Sequence, residues 1–352
     1  MGGVTLCIIN HEGADRLPAA LRAALAQRDA FAEILLVDNA STDGSIELAQ
    51  SLCPQLKVVE MPRNAGPGSA RNAGFAAASN DLILFQDNDV RLEPGCAPAL
   101  LSALRGREGA LLVAPRVLYE DAPGTIQYDS ADCHFLGLMA LRNANRPARD
   151  TAAPAARTTS LVTACFLVDR SRWRHGPLFD EDFVFNLEDH EFGVRANVWG
   201  YETWVEPAAR VLHGGGTPHL SYRPGYPVST TRVFYLLRNR WLVIGKCYSL
   251  RALLVLAPML LLFELFQVAG LARKGWLRPW WLACRSTAGH WKELRAKRAD
   301  VRRSRRAPDR AVLRGGPLPF TDAVKGTVVD RASLAILSAL SNAYWLLARC
   351  LL

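Results

Sequence analysis

The first 120 residues alternate short apolar runs with segments of helical periodicity, and that alternation leaves very few folds open. Residues 4–9, 33–37, 56–60, 81–86 and 110–117 read as strands, several of them apolar throughout. Between them, residues 14–27, 44–52, 67–79 and 94–104 place apolar side chains three and four apart, the spacing of a helix. Strands apolar on both faces and separated by helices predict a mostly parallel, Rossmann-like α/β sheet with helices on both sides. Ligands in such sheets collect outside the carboxyl ends of the strands. The polar residues just after each strand are therefore the candidates for chemistry.

The pattern weakens over residues 121–160, where residues 143–159, rich in Ala, Pro and Arg, read as a mobile loop. Residues 161–168 form a further strand, followed by an acid-rich stretch, a helix over 188–199 and a flexible turn from His213 to Gly216. Beyond Thr231 come long apolar helices, tryptophans and arginines. The composition shift places a boundary at Tyr226: an α/β catalytic domain over 1–226 and a helical, membrane-associating region over 227–352.

Strand one ends in Asn10 and His11, before Glu12 and Gly13; strand two ends in Asp38, followed by Asn39, Ala40, Ser41, Thr42, Asp43 and Gly44. A carboxylate at a strand end can accept hydrogen bonds from a base or ribose, or it can, with Ser41, cap the next helix. A glycine-rich loop over 64–74, bearing Arg71, leads into a helix and can approach phosphate closely. Strand four then delivers Asp87, Asn88 and Asp89. Two carboxylates spaced i, i+2 behind a buried strand suit a hard divalent cation, Mn²⁺ or Mg²⁺, beside a diphosphate; a solvated acidic turn is the alternative.

In this order the segments resemble family 2 glycosyltransferases of the GT-A fold, over about residues 4–226. The matching pieces are VDNASTDGS (37–45), RNAGPGSARNAGF (63–75), DND (87–89), FDEDFVFNLEDHEFGVRANVWGYE (179–202) and a histidine ahead of glycines at His213. The resemblance implies inverting transfer of a sugar from a nucleotide-sugar donor, UDP- or dTDP-linked. Asn10 and His11 would line the nucleotide site, His11 where the family often has an aromatic residue against the base, and Asp38 would contact that base. Arg71 falls in the loop lining the donor site. Asp89 would be the firmest metal ligand, His213 would complete the metal shell, and Asp87 would face the ribose or donor sugar. Asn88 departs from the all-acidic motif and leaves both outer carboxylates in place.

The family's general base aligns with Asp189. Inverting displacement needs one carboxylate to deprotonate the acceptor hydroxyl, while the metal carries charge on the leaving group. Glu188 and Asp189 open a helix, whose dipole is expected to keep a carboxylate there ionised. The acceptor is expected to be a hydroxyl of a lipid-linked or cell-surface glycan. The alternatives are polyprenyl phosphate as acceptor, or a non-catalytic glycan-binding protein. A nucleotidyltransferase would want a glycine-rich basic loop right after strand one, and residues 9–13 are not one. The Q-x-x-R-W signature of processive synthases fails too, because Leu237 stands where Gln is required before Arg240 and Trp241.

The net charge of +9 is concentrated in the tail. Residues 273–314 hold 14 Lys and Arg against three acids, leaving the rest of the chain near −2. These cations are interleaved with apolar helices and the body has no basic surplus, which points to an anionic membrane surface and away from nucleic acid. The apolar run 252–272 is long enough to cross a bilayer, but crossing would carry the basic block to the far side, against the positive-inside rule. Helices lying in the cytoplasmic leaflet, with Trp276, Trp280, Trp281 and Trp291 at the headgroups and residues 334–352 as a second apolar stretch, fit better. A homodimer interface is the other use of such a face. Met1, Gly2 and Gly3 run straight into the first strand without a signal-peptide pattern, and the eight scattered cysteines form no C-x-x-C pair. Both features predict a catalytic part in the reducing cytoplasm.

Overall fold

The computed structural model describes residues 3–150, 153–214, 229–319 and 328–352. The chain divides into two compact units. One comprises residues 1–131, 141–192 and 201–216; the other comprises 132–140, 193–200 and 217–352. The boundary expected at Tyr226 lies outside the described residues.

The strands are β1 (Val4–Asn10), β2 (Glu33–Asp38), β3 (Lys57–Glu60), β4 (Leu82–Asp87), β5 (Val90–Leu92), β6 (Ala110–Tyr119), β7 (Ile126–Tyr128), β8 (Ala131–His134), β9 (Leu138–Leu141), β10 (Ala156–Thr158), β11 (Cys165–Asp169), β12 (Glu202–His213) and β13 (Leu313–Arg314). The helices are α1 (Leu17–Leu25), α2 (Ser45–Leu52), α3 (Pro67–Ala77), α4 (Cys96–Arg105), α5 (Glu188–Val198), α6 (Thr230–Cys247), α7 (Leu250–Arg273), α8 (Leu277–Gly289), α9 (Trp291–Arg303), α10 (Asp309–Val312) and α11 (Val328–Ala348).

In the first unit the main sheet runs β10-β12-β6-β11-β4-β1-β2-β3, with β5 on β12 and β7 on β6. Strands β3, β2, β1 and β4 are parallel, as the alternation predicted. The difference comes at β11, which enters antiparallel between β4 and β6. Strands β1, β2 and β11 are buried along their whole length, which explains their unbroken apolar character. The core packs Leu6, Ile8, Leu36 and Leu84 of the sheet with Leu17, Leu21, Leu100 and Leu104 of the helices.

Two sequence expectations need correction. His213 does not sit in a flexible turn: it ends the 12-residue strand β12, which alternates buried and exposed residues. Residues 143–159 are not simply a loop, since 156–158 pair with β12 as β10.

In the second unit β13, β8 and β9 form a three-stranded sheet. Arg240 of α6 is buried, pairs with Glu264 of α7 and donates from Nε to the Leu136 carbonyl at 2.6 Å. Trp241 Nε1 donates to the same carboxylate at 3.0 Å. The acid inside the apolar run is therefore the half-buried ion-pair partner of a buried arginine. Helices α8 and α9 also lean on α6, through Arg238 Nε to Ser286 Oγ (3.0 Å) and Arg298 Nη1 to the Gly245 carbonyl (2.5 Å). Tyr344 of α11 donates to the Val255 carbonyl at 2.5 Å and Asp330 pairs with Arg273 at 3.1 Å, so α7 and α11 run antiparallel. Both are long and apolar enough to cross a membrane, and both expose leucines: Leu250, Leu254, Leu261 and Leu265 on α7, Leu340, Leu346 and Leu347 on α11.

Candidate active site

Strand register brings most of the candidates together. Because β1 lies between β2 and β4, Asn10 faces Asp38 on one side and Ile9 faces Asp87 on the other. The strand order reverses here, the position at which α/β sheets collect ligands.

Asn10, fully buried, is a hub. Its Nδ2 donates to Asp38 Oδ1 at 2.7 Å and Ser45 Oγ at 2.8 Å, and its Oδ1 accepts from Asn88 Nδ2 at 2.8 Å. Asp38 also accepts from Ser41 N and Oγ, at 2.7 and 2.6 Å. These bonds hold the loop between β2 and α2, and a nucleotide base would compete with them for Asp38. The helix-capping alternative for Asp38 does not hold, because Gly44 occupies the N-cap of α2. His11 is partly exposed, with Nδ1 buried and without a hydrogen-bond partner among the described residues.

Arg71 of α3 is buried. Its Nη2 donates to Asp87 Oδ1 at 2.5 Å and to the Thr163 carbonyl at 3.0 Å, and the guanidinium lies over the Phe179 ring at 5.8 Å. The charge expected to meet phosphate is thus aimed first at Asp87, while Nε and Nη1 have no hydrogen-bond partner among the described residues. Desolvation nonetheless pushes Asp87 up to about 6, against the opposing charge of Arg71.

Asp89 follows the end of β4. Gly214 N donates to the Asp89 carbonyl at 2.7 Å, which sets His213 Nε2 3.5 Å from Asp89 Oδ1. A Cβ at position 214 would stand 3.0 Å from that carbonyl, so glycine permits the approach. On its other side His213 Nδ1 bonds Gln127 Oε1 at 2.7 Å. An oxygen acceptor at Nδ1 draws the ring proton there, leaving Nε2 as the nitrogen turned to the carboxylate. A carboxylate oxygen opposite an imidazole nitrogen fits Mn²⁺ or Mg²⁺, with donor phosphates filling the remaining positions. Among the described residues no group of three or more His, Cys, Asp or Glu could hold a metal, so these two side chains would need the donor's oxygens.

The loop before α5 is strained. Val184 has φ 56° and ψ −63°, the Phe185 N to Phe183 O bond of 2.5 Å closes a γ-turn around it, and Asn186 and Leu187 also have positive φ. Gly66, at φ 89°, fits against this turn: a Cβ there would fall 1.9 Å from the Val184 carbonyl oxygen. The glycine-rich loop and the acid loop therefore interlock. Burial raises Glu188 and Asp189 above the ordinary carboxylate range, with Arg71 opposing in both cases. Burial thus opposes the helix dipole at Asp189 and raises it to about 6, which leaves the carboxylate ionised at neutral pH as a general base requires.

Two residues escaped the sequence reading, Gln127 and Tyr128. Strand β7 is three residues long, too short for periodicity to register. Tyr128 is buried, its ring meets His213 edge-on at 6.4 Å, and its hydroxyl has no hydrogen-bond partner among the described residues.

Residues 5–170 match the family model described as glycosyl transferase family 2. The chain is 35% identical over 92 residues to succinoglycan biosynthesis protein ExoO of Rhizobium meliloti (strain 1021), a match covering 26% of each. It is 29% identical over 204 residues to the N-acetylglucosaminyl-diphospho-decaprenol L-rhamnosyltransferase of Mycobacterium tuberculosis (strain ATCC 25618 / H37Rv), covering 51% of this chain. It thus spans 26% and 66% of these two relatives' lengths. In fold it is similar to the crystal structure of GalNAc-T7 with UDP, GalNAc and Mn²⁺, with TM-score 0.54 and 18% identity, covering 70% of this chain and 48% of that one.

Proposed function

We propose that this chain, which carries a family 2 glycosyltransferase domain of GT-A fold over residues 5–170, is an inverting, divalent-metal-dependent transferase. It moves a sugar from a UDP- or dTDP-linked donor to a hydroxyl of a lipid-linked or cell-surface glycan. The carrying observation is the approach of His213 Nε2 to Asp89 Oδ1 at 3.5 Å, two residues along the chain from the Asp87 carboxylate that pairs with buried Arg71 at 2.5 Å. Tyr128 packs its ring edge-on against His213, and burial together with the charges of Asp87, Asp89 and Asp189 raises its hydroxyl pKa well above the ordinary value, which supports a donor, metal and base set gathered in one place.

Asp189 takes the proton from the acceptor hydroxyl as that oxygen bonds to the anomeric carbon and the diphosphate leaves from the opposite face. A carboxylate raised by burial accepts a proton more readily than an exposed one. Asp89 and His213 would hold the Mn²⁺ or Mg²⁺, which when bound supplies Lewis-acid stabilisation of the leaving diphosphate. Arg71 holds Asp87 in place, and Asn10 with Asp38 fixes the floor of the nucleotide site. The UDP and Mn²⁺ in the GalNAc-T7 structure and the diphospho-decaprenol-linked substrate in the mycobacterial relative's name support these donor and acceptor classes.

Attachment to the cytoplasmic membrane face belongs to the same proposal. Helices α8 and α9, which carry most of the basic block, pack on α6, the helix α7 also pairs with. If α7 crossed the bilayer, the residues after it would be delivered to the far side and could not return to α6. That packing supports α7 and α11 lying in one leaflet with their leucines outward. The whole reading is tested by screening nucleotide sugars for transfer with Mn²⁺ or Mg²⁺ present. Metal-dependent transfer or hydrolysis of one donor is expected, and full activity in excess chelator contradicts the metal-dependent mechanism.

A further inference from the structure

Strand β7 carries a β-bulge at a telling position. On β6, Val117 pairs with Tyr128 and the next residue, Leu118, pairs with Ile126, so Gln127 is the extra residue of the ladder. A bulge re-aims the side chain it releases, and bulges cluster beside active sites for that reason. Strand β12 pairs with the same end of β6, with His213 opposite Tyr119. Gln127 and His213 therefore approach across one strand end, and the 2.7 Å contact between Gln127 Oε1 and His213 Nδ1 is the product.

We propose that Gln127 is the positioning residue that makes His213 a metal ligand: its amide oxygen holds the ring proton on Nδ1 and so presents Nε2 toward Asp89. Three restraints then act on the imidazole. Gln127 fixes its tautomer, the edge of Tyr128 fixes its plane, and the Gly214 N to Asp89 O bond fixes its backbone. A neutral amide accepts the proton's hydrogen bond without adding charge beside Asp87 and Asp89. Partners of this kind, bonded to the far nitrogen of a ligating histidine, typically account for about 10- to 100-fold in metal affinity.

This inference rests on the metal reading above, and the test separates the two. The full chain in detergent is titrated with Mn²⁺ in the presence of UDP or dTDP, with free Mn²⁺ followed by its electron paramagnetic resonance signal. Gln127→Leu is expected to weaken Mn²⁺ binding about 10- to 100-fold, and Gln127→Glu, which keeps an acceptor oxygen, to restore most of it. In parallel, ¹⁵N-histidine spectra assign the His213 tautomer without any metal. The wild-type ring is expected to carry its proton on Nδ1, and Gln127→Leu to shift it toward Nε2. Unchanged tautomer and unchanged Mn²⁺ affinity in Gln127→Leu overturn the proposal, as does a wild-type ring protonated on Nε2. A wild-type protein that binds no Mn²⁺ with either nucleotide overturns the metal reading and the ligand role with it, while the tautomer spectra still decide whether Gln127 orients the ring.

Discussion

Asn88 donates its side-chain amide to Asn10 Oδ1 at 2.8 Å and reaches the His11 carbonyl at 3.3 Å. The middle residue of the Asp87-Asn88-Asp89 motif is thus a structural tie between the ends of β4 and β1, which accounts for an amide between two acids. A carboxylate there would set acceptor against acceptor. Asn88→Asp is expected to lower the unfolding free energy by about 1–3 kcal/mol at neutral pH, measured by chemical denaturation. Gly13→Ala should do the same, since a Cβ would lie 2.1 Å from Asn10 Oδ1 and 2.4 Å from Asn88 Nδ2. Wild-type stability in Asn88→Asp would show that the tie contributes nothing.

Glu33 gives a pH-dependent contribution to stability. Burial alone would raise its pKa, but Lys57 Nζ at 2.7 Å and donors from Thr5 and Ser79 prevail and hold it at about 2. A carboxylate depressed by folding stabilises fully above its unfolded value near 4.5, and that stabilisation fades as pH falls toward 2. Glu33→Gln is therefore expected to destabilise at pH 7 by on the order of 2 kcal/mol, and by progressively less as the pH drops through that window. Denaturation at pH 7 and pH 3 checks the sign; an equal deficit at both would refute it.

Tyr128→Phe separates fold from function. The hydroxyl has no hydrogen-bond partner among the described residues, so removing it should leave the thermal midpoint unchanged or raise it slightly. Because the charges of Asp87, Asp89 and Asp189 all act on that hydroxyl, kcat/KM for transfer should fall by about tenfold or more. Unaltered kcat/KM would place Tyr128 outside the reacting centre.

What the sequence revealed, and what it hid, follows from the range of each interaction. The parallel strands β1, β2 and β4 were legible because burial on both faces leaves a nearly unbroken apolar run. Asp38, Asp87 and Asp89 were legible because they end such runs. Strand β12 was missed because Glu206 and Pro207 interrupt its alternation, and the register shifts between Glu206 and Arg210. Gln127 and Tyr128 were invisible because their importance comes from pairing with β6 and from His213, 86 residues away in the Gln127 contact. That Asp189 is raised above an ordinary carboxylate was hidden because helix position is local, whereas burial is decided by the whole fold.

Membrane binding should show two components. The leucine faces of α7 and α11 are insensitive to salt, whereas the basic residues are screened over a Debye length of roughly 8 Å at physiological salt. High salt alone is expected to loosen the protein from anionic vesicles without releasing it, and detergent to release it. Leu254→Asp with Leu261→Asp, both on exposed positions, should weaken vesicle flotation while leaving transfer to a soluble acceptor intact. Protease outside sealed, right-side-out vesicles should not cut near Arg302 to Arg306; cleavage there would mean that α7 crosses the bilayer.

The central claim is that Asp189 removes the acceptor proton. Single-turnover transfer should be measured for Asp189→Asn alongside its affinity for the nucleoside diphosphate and Mn²⁺. The account predicts a loss of about 10²- to 10⁴-fold in the chemical step with binding nearly intact, because the base acts only as the new bond forms. Retention of more than about a tenth of wild-type kcat would contradict it, and would favour an acceptor such as polyprenyl phosphate, whose ionised oxygen needs no base.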